Sequence, residues 1–294
     1  MSTLGNQIRS VGLIANSGKA SCGEVVSRAA KLLAAAGRRL CSDPATARMG
    51  RLRCPELPDA ATLARRVDML LVFGGDGTML RVAREIAGSR TPILGINIGG
   101  LGFLTAVPSS ELSGALAQVW RGEFEFESRV LLQATGRRNG TLVSQSALND
   151  VVISRGIASR LIELEVAVDC DFLSRYRCDG LIVSSPTGST AYALAAGGPV
   201  VFPTAGVLVL TPICPHTLSN RALILPLSAN IEVKVITPQP TTILSADGQV
   251  MSELEAGDVI EIRRGRRAVR LLRLAGGSFC ETLRRKLHWR GTTL

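Results

Sequence analysis

Up to about residue 125, short apolar runs alternate with segments whose apolar residues recur every three or four positions. That alternation restricts the chain more than any other feature. VGLIAN (11–16), MLLVF (69–73) and PILGINIG (92–99) read as buried strands, apolar on both faces as in a parallel sheet. Between them, SCGEVVSRAAKLLAAAG reads as a helix with a capping box from Ser21 to Glu24 and Gly37 at its end. SSELSGALAQVWRG (109–122) is a further helix. Strand and helix in turn predict an α/β region with a parallel sheet.

From about Glu125 the pattern changes. RVLLQATGRR, TLVSQSALNDVVIS, RLIELEVAVD, RCDGLIVSS, GVLVLTP, ALILPLS, NIEVKVIT and TTILSADG are short, rich in β-branched residues and separated by turn residues. This predicts a β-dominated region. EIRRGRRAVRLLRL reads as a hairpin turning at Gly265. SFCETLRRKLHW reads as a helix capped by Ser278 and Glu281, with Phe279, Leu283 and Leu287 on one face. That stripe needs a host surface, and the first region is the expected one. The boundaries follow: 1–125 with 276–294 returning to it, and 126–275 as the β-rich part.

A chain of 294 residues has room for two such domains, and 46% hydrophobic with 20% charged residues fits a folded protein rather than a disordered one. MSTLGNQIRSVGLIANSGKA has neither the basic start nor the long apolar core of a secretory leader. The most apolar stretch, GGPVVFPTAGVLVL, is broken by Gly, Pro and Thr, so no membrane span is expected. Seven scattered cysteines (22, 41, 54, 170, 178, 214 and 280) without a C-x-x-C fit reduced, mostly buried thiols in a cytoplasmic protein. Two distant histidines, His216 and His288, give a zinc site little to draw on. The net charge of +10 is local: Arg263 to Arg290 holds ten basic residues and one acid, Glu281. Because that segment reads as folded, a solvated face, or a surface that concentrates anionic nucleotides, is expected in preference to a nucleic-acid tail.

LLVFGGDGTMLRVA (70–83) raises the chemical question, because it ends an apolar run with glycines and a carboxylate. Asp-Gly between apolar runs is first a hairpin signal. Here MLRVAREIAG follows with helical spacing, so the order is strand, glycine loop, helix. Glycines let backbone approach a ligand, and the first N–H groups of a helix suit phosphate. Gly74, Gly75, Gly77 and Thr78 would form the cradle. A carboxylate in a phosphate cradle is costly unless a cation or a proton transfer uses it. Asp76 could hold Mg²⁺ on the phosphates or take a proton from an attacking hydroxyl, and either role means phosphoryl transfer. The familiar fingerprints are missing. G-x-G-x-x-G is absent at the strand end, and GLIANSGKAS spaces its glycines one residue too far for a P-loop, with Ala20 where Ser/Thr belongs. It reads as a strand-to-helix turn from which Lys19 could touch phosphate. No G-x-S-x-G elbow is present.

GGDGT in this setting resembles the NAD kinase family and its wider relatives, the diacylglycerol-type lipid kinases and the 6-phosphofructokinases. ALNDVVISRG (147–156), RCDGLIVSSPTGSTAYALAAGGPVV (177–201), TPICPHTLSN (211–220) and ADGQ (246–249) are similar to NAD kinase motifs in the same order. GINIGGLGFL (95–104) and ETLRRKLHW also match, so the resemblance covers nearly the whole chain. It implies an ATP-dependent kinase that phosphorylates the adenosine-ribose 2′-hydroxyl of NAD to give NADP. It implies a Rossmann-like first domain, a β-sandwich-like second one, and a homo-oligomer (dimer or tetramer). By the resemblance Asp76 is the catalytic base. Asp76, Gly77, Asn149, Asp150, Arg160, Arg177, Asp179, Thr190, Ala191, Tyr192, Ala193, Leu194, Ala195 and Gln249 are NAD contacts, and Arg81 faces phosphate. One departure stands out: the family's HTLSNRP is HTLSNRA here, with Ala222 for Pro.

Elementary chemistry is compatible with these roles. An Asn amide both donates and accepts, a neighbouring Asp can bind ribose hydroxyls, and the Arg177 fork suits pyrophosphate. Tyr192 offers a flat face. Taken singly, each residue reads first as a turn, a surface charge or a packing residue, and only their joint order in the family pattern favours a ligand role. Two rivals remain at this point. A lipid kinase would want an apolar membrane-facing mouth, whereas only 4% of residues are aromatic. A nucleotide sensor or basic nucleic-acid-binding protein would have no need of the GGDGT carboxylate.

Overall fold

A computed structural model describes residues 4–105, 107–138, 141–156, 160–217, 219–238 and 242–289. Leu218 and Thr241 of the motifs above, and Arg290 of the basic segment, lie outside the described residues. The chain forms two compact units, Met1–Ser128 with Val269–Leu294, and Arg129–Ala268.

The first unit is built on a parallel sheet. Strand Ser10–Ala15 lies between Arg39–Ser42 and Met69–Gly74, and Ile93–Asn97 follows on the far side of Met69–Gly74. The end of the long strand Val259–Leu274 pairs parallel with Ile93–Asn97 through Leu271 and Ile93. All six residues of Ser10–Ala15 and of Met69–Gly74 are buried, which explains their unbroken apolar runs. Helix Cys22–Ala35 covers the sheet through Cys22, Val26, Ala29 and Leu33, and Gly37 follows it at φ +66°. Helix Leu112–Arg121 ends at Gly122 in the left-handed region. The C-terminal helix Phe279–Lys286 also lies in this unit, its first turn capped by Ser278 Oγ, which accepts from Glu281 N at 3.1 Å.

The second unit is a sandwich of antiparallel strands. One sheet runs, in spatial order, through Leu223–Pro226, Val207–Ile213, Gly180–Ser184, Asp150–Arg155, Thr242–Ala246 and Gln249–Leu254. The other contains Asp171–Cys178, Ile162–Val168, Ile231–Val235 and the first part of Val259–Leu274. A common core, including Val151, Ile153, Leu164, Val166, Leu181, Val183, Val233 and Ile260, lies between their inner faces.

Three sequence expectations are corrected. Ser21 adopts helical φ/ψ and its side chain caps nothing. Backbone turns take over instead, with Cys22 N donating to Lys19 O and Gly23 N to Ala20 O. Gly265 makes no hairpin, because Val259–Leu274 is one strand of 16 residues. A Cβ at Gly265 would stand 3.1 Å from Leu131 O, so this glycine serves a close strand approach. TLVSQSALNDVVIS is not one strand either. It breaks at Leu148–Asn149 into Thr141–Ala147 and Asp150–Arg155, which belong to different sheets.

Candidate active site

The helix after the glycine run begins at Asp76 itself and extends to Glu85, with Gly75 at its N-cap. The carboxylate therefore sits at the positive end of a helix dipole, which offsets the cost of placing it in a phosphate cradle. Gly74 is required by packing, since a Cβ there would collide with the Thr78 side chain. Gly75 and Gly77 differ, for a Cβ at either meets no atom within 4 Å.

Asp76 holds a loop. Its Oδ2 accepts from Phe103 N at 2.8 Å, and its Oδ1 accepts from Leu104 N at 3.0 Å and Thr105 N at 3.1 Å, with Thr105 Oγ1 at 3.2 Å. A carboxylate offers about four acceptor positions. Oδ1 is saturated, whereas Oδ2 carries one donor among the described residues. Asn97 Nδ2 braces the same loop by donating to Gly100 O at 2.7 Å and Thr105 Oγ1 at 2.8 Å, and Lys19 Nζ donates to Ile98 O at 3.0 Å. A Cβ on Gly102 would collide with Asp76 Oδ1 and Thr105 Oγ1. Gly102, Thr105 and Asn97 are supporting residues that residue-level reading of the sequence missed. Asn97 and Gly102 lie within the matched motif GINIGGLGFL, and Thr105 follows it directly.

An open cavity of about 700 Å³ lies at the carboxyl ends of the parallel strands, where open α/β sheets bind ligands. Gly75, Gly77, Thr78 and Arg81 line it together with Asn16 and Lys19 from the turn after Ser10–Ala15. Asp43 and Asp59, two helix N-caps, complete the wall. Arg81 is tied to Glu85 at 2.8 Å. This exposed i,i+4 pair is worth only about 0.3–0.5 kcal/mol, so an anion could draw the guanidinium away.

In the second unit the Leu148–Asn149 backbone is held by residues of two other motifs. Asp247, in a tight turn with Gly248 at positive φ, accepts from Leu148 N at 3.0 Å and Asn149 N at 2.7 Å. Ser185 N donates to Asn149 O at 2.9 Å, Ser185 Oγ donates to Leu148 O at 2.6 Å, and Gly188 packs so closely on Asn149 that a Cβ would collide with its carbonyl. The Asn149 backbone is thus fixed on both sides while its amide makes no hydrogen bond to the described residues. Asp150 is buried, and that burial, with the Asp247 charge beside it, pushes its carboxyl up to about 7. Thr190 closes a 3₁₀ turn, Ala191 precedes the short helix Tyr192–Ala195, and Tyr192 is exposed, while Ala193 is buried with Val152 and Ile182 and Leu194 is half-buried. Asp179 pairs with Arg155, the arginine of the ALNDVVISRG motif, at 2.7 Å. Arg160, Arg177 and Gln249 are exposed on this unit. Asp247, Ser185 and Gly188 are supporting residues that lie within the matched motifs ADGQ and RCDGLIVSSPTGSTAYALAAGGPVV but carry no individual signal of that role there. Among the described residues, no group of three or more His, Cys, Asp or Glu is arranged to hold a metal, and no helix is long and apolar enough to cross a membrane.

A parallel sheet whose carboxyl ends carry a glycine-lined helix start and a lysine is the architecture of nucleotide-phosphate binding. The chain belongs to the NAD kinase family: the ATP-NAD kinase N-terminal domain matches residues 11–124 and the ATP-NAD kinase C-terminal domain residues 148–274. An NAD kinase of Syntrophotalea carbinolica is 46% identical over 79% of this chain and 81% of its own length. One from Paraburkholderia phytofirmans is 41% identical over 97% of this chain and 95% of its own. Among solved structures, yeast NADH kinase complexed with NADH superposes with a TM-score of 0.88 at 25% identity, covering 98% of this chain and 89% of that one. An NAD kinase from Archaeoglobus fulgidus in complex with ATP gives 0.75 at 24% identity, covering 96% and 100%.

Proposed function

We propose that this protein is an ATP-dependent NAD kinase, transferring the terminal phosphate of ATP to the adenosine-ribose 2′-hydroxyl of NAD to give NADP. The observation that carries this reading is the helix start at Gly75–Thr78. It opens on the cavity with two glycines that leave room for a ligand, and it bears a carboxylate with one acceptor position unfilled.

In this reading Asp76 Oδ2 accepts the proton of the 2′-hydroxyl, whose oxygen bonds to the terminal phosphorus as the bond to the bridging oxygen breaks and ADP leaves. The first-turn N–H groups, Lys19 and Arg81 bind the phosphate chain. Asn149, Asp150, Arg160, Arg177, Asp179, the run Thr190 to Ala195, and Gln249 hold NAD, with Asn149 offering its amide to a base or amide edge. Mg²⁺ fits as an ion carried mainly by the triphosphate, with Asp76 Oδ2 its protein ligand if the proton role falls elsewhere. When bound it neutralises charge on the transferring phosphate. The seven cysteines are free, which supports a cytoplasmic setting, although only Cys22 and Cys178 are buried where the sequence predicts that most would be. Exposed Phe172 and Leu173 on strand Asp171–Cys178 support a homo-oligomer, dimer or tetramer, which light scattering would reveal.

The test is a coupled assay of NADP formation with ATP, Mg²⁺ and NAD, run beside diacylglycerol as acceptor and polyphosphate as donor. NADP formation with NAD is expected, and Asp76→Asn should lower turnover by about 10²–10⁴-fold with the far-UV spectrum retained. Phosphorylation of diacylglycerol instead, or no product with NAD, refutes the assignment.

A further inference from the structure

The loop that Asp76 holds is also gripped from its other side. The Phe103 ring lies 6.4 Å, centroid to centroid, from Phe279, tilted at 47°. The Lys286 ammonium stands 5.6 Å from the Phe103 centroid. Both distances fall within the attractive range for an aromatic pair and for a cation over a ring. Phe279 and Lys286 open and close the C-terminal helix Phe279–Lys286, seven residues apart, so they share one face with Leu283, which is buried. The helix therefore clasps Phe103 at two points while Leu283 anchors it. Phe103 is also the residue whose N–H occupies Asp76 Oδ2.

We propose that the C-terminal helix positions Asp76: Phe279 and Lys286 fix the Phe103 ring, which fixes the Phe103–Thr105 backbone, and the three N–H groups of that backbone fix the carboxylate. Phe279 and Lys286 are positioning residues and touch no reacting atom. The positioning of catalysis rests on the reading of Asp76 as the base. The grip on the loop does not.

The experiment therefore carries a readout for each. Amide hydrogen exchange of Phe103, Leu104 and Thr105 reports the grip, and kcat and KM for NAD and ATP report its consequence. Phe279→Ala and Lys286→Gln should speed exchange at those amides by about three- to tenfold and lower kcat by a similar factor with little change in KM for ATP. Phe279→Tyr, which keeps the ring, should restore both, and Arg285→Gln, off that face of the helix, should alter neither. A drop in melting temperature alone would not produce this split or this rescue. Lys286→Gln leaves the buried Leu283 and the Phe279 ring in place, so it stands if Phe279→Ala folds poorly. Wild-type exchange at Phe103–Thr105 in both variants overturns the proposal. So does faster exchange with unchanged kcat while Asp76→Asn is inactive. If Asp76→Asn keeps full activity, the catalytic reading falls and exchange alone decides whether the helix holds the loop.

Discussion

Asp150 is 4% exposed, and its proton should be visible in the stability of the whole fold. Burial, and then the charge of Asp247, raise its carboxyl from an ordinary 3.8 to about 7. The folded chain thus keeps a proton that the unfolded chain releases. Its contribution to stability is full below the unfolded carboxylate range and is lost as pH climbs through the folded value. Unfolding free energy should therefore fall between about pH 4 and pH 7, with a slope approaching about 1.4 kcal/mol per pH unit for one proton. Urea titrations across that range check it. Asp150→Asn should flatten the slope, and Asp247→Asn should move the fall to lower pH by removing the neighbouring charge. A slope unchanged in Asp150→Asn assigns the proton elsewhere. A second residue-scale expectation concerns Gly102, where a methyl would collide with Asp76 and Thr105. Gly102→Ala should cost about 1–3 kcal/mol and sharply reduce NADP formation. Wild-type melting and turnover together would show that the loop yields freely.

Helix Asp76–Glu85 separates what glycine does for packing from what it does for a ligand. Gly74→Ala drives a methyl into Thr78 and should destabilise the fold, whereas Gly77→Ala lies in the first helical turn and meets no protein atom. The second change should stabilise by up to about 1 kcal/mol through helix propensity, yet raise KM for ATP by filling the cavity the residue lines. Melting curves and ATP titrations of the pair decide this, and equal KM values would place the phosphates elsewhere. At this scale the first unit was largely legible, because its strands are buried on both faces and its helices end at Gly37 and Gly122, both at positive φ. What failed, failed for tertiary reasons. Gly265 looks like a turn because sequence cannot show that Leu131 approaches it, and Leu148–Asn149 looks like mid-strand because nothing local says that Asp247, almost a hundred residues on, holds its N–H groups. GGDGT stands out in the sequence as a candidate site, whereas the clasp on Asp76 depends on backbone N–H groups, which carry no sequence signal of their own.

At the scale of the molecule, the two units differ in how the chain closes them. The second, Arg129–Ala268, is one continuous segment with a sandwich core drawn wholly from its own strands. The first is discontinuous: its sheet takes an edge from the end of strand Val259–Leu274, and Val269, Leu271 and Leu272 are all buried there. At about 1.5–3 kcal/mol for each buried side chain, those three residues contribute an amount comparable to the total stability of a typical domain, about 5–15 kcal/mol. A chain ending at Ala268 should therefore lose cooperative melting in its first unit even though it keeps the glycine loop, Asp76 and every residue around the cavity. Excised 129–268 should retain a cooperative β-type transition, since no core residue is removed from it. Circular dichroism melts of the two fragments beside the full chain test both statements. A sharp two-step melt from the fragment 1–268 would mean that the parallel sheet closes without its last strand, and that the return of the chain serves only the C-terminal helix and its hold on Phe103.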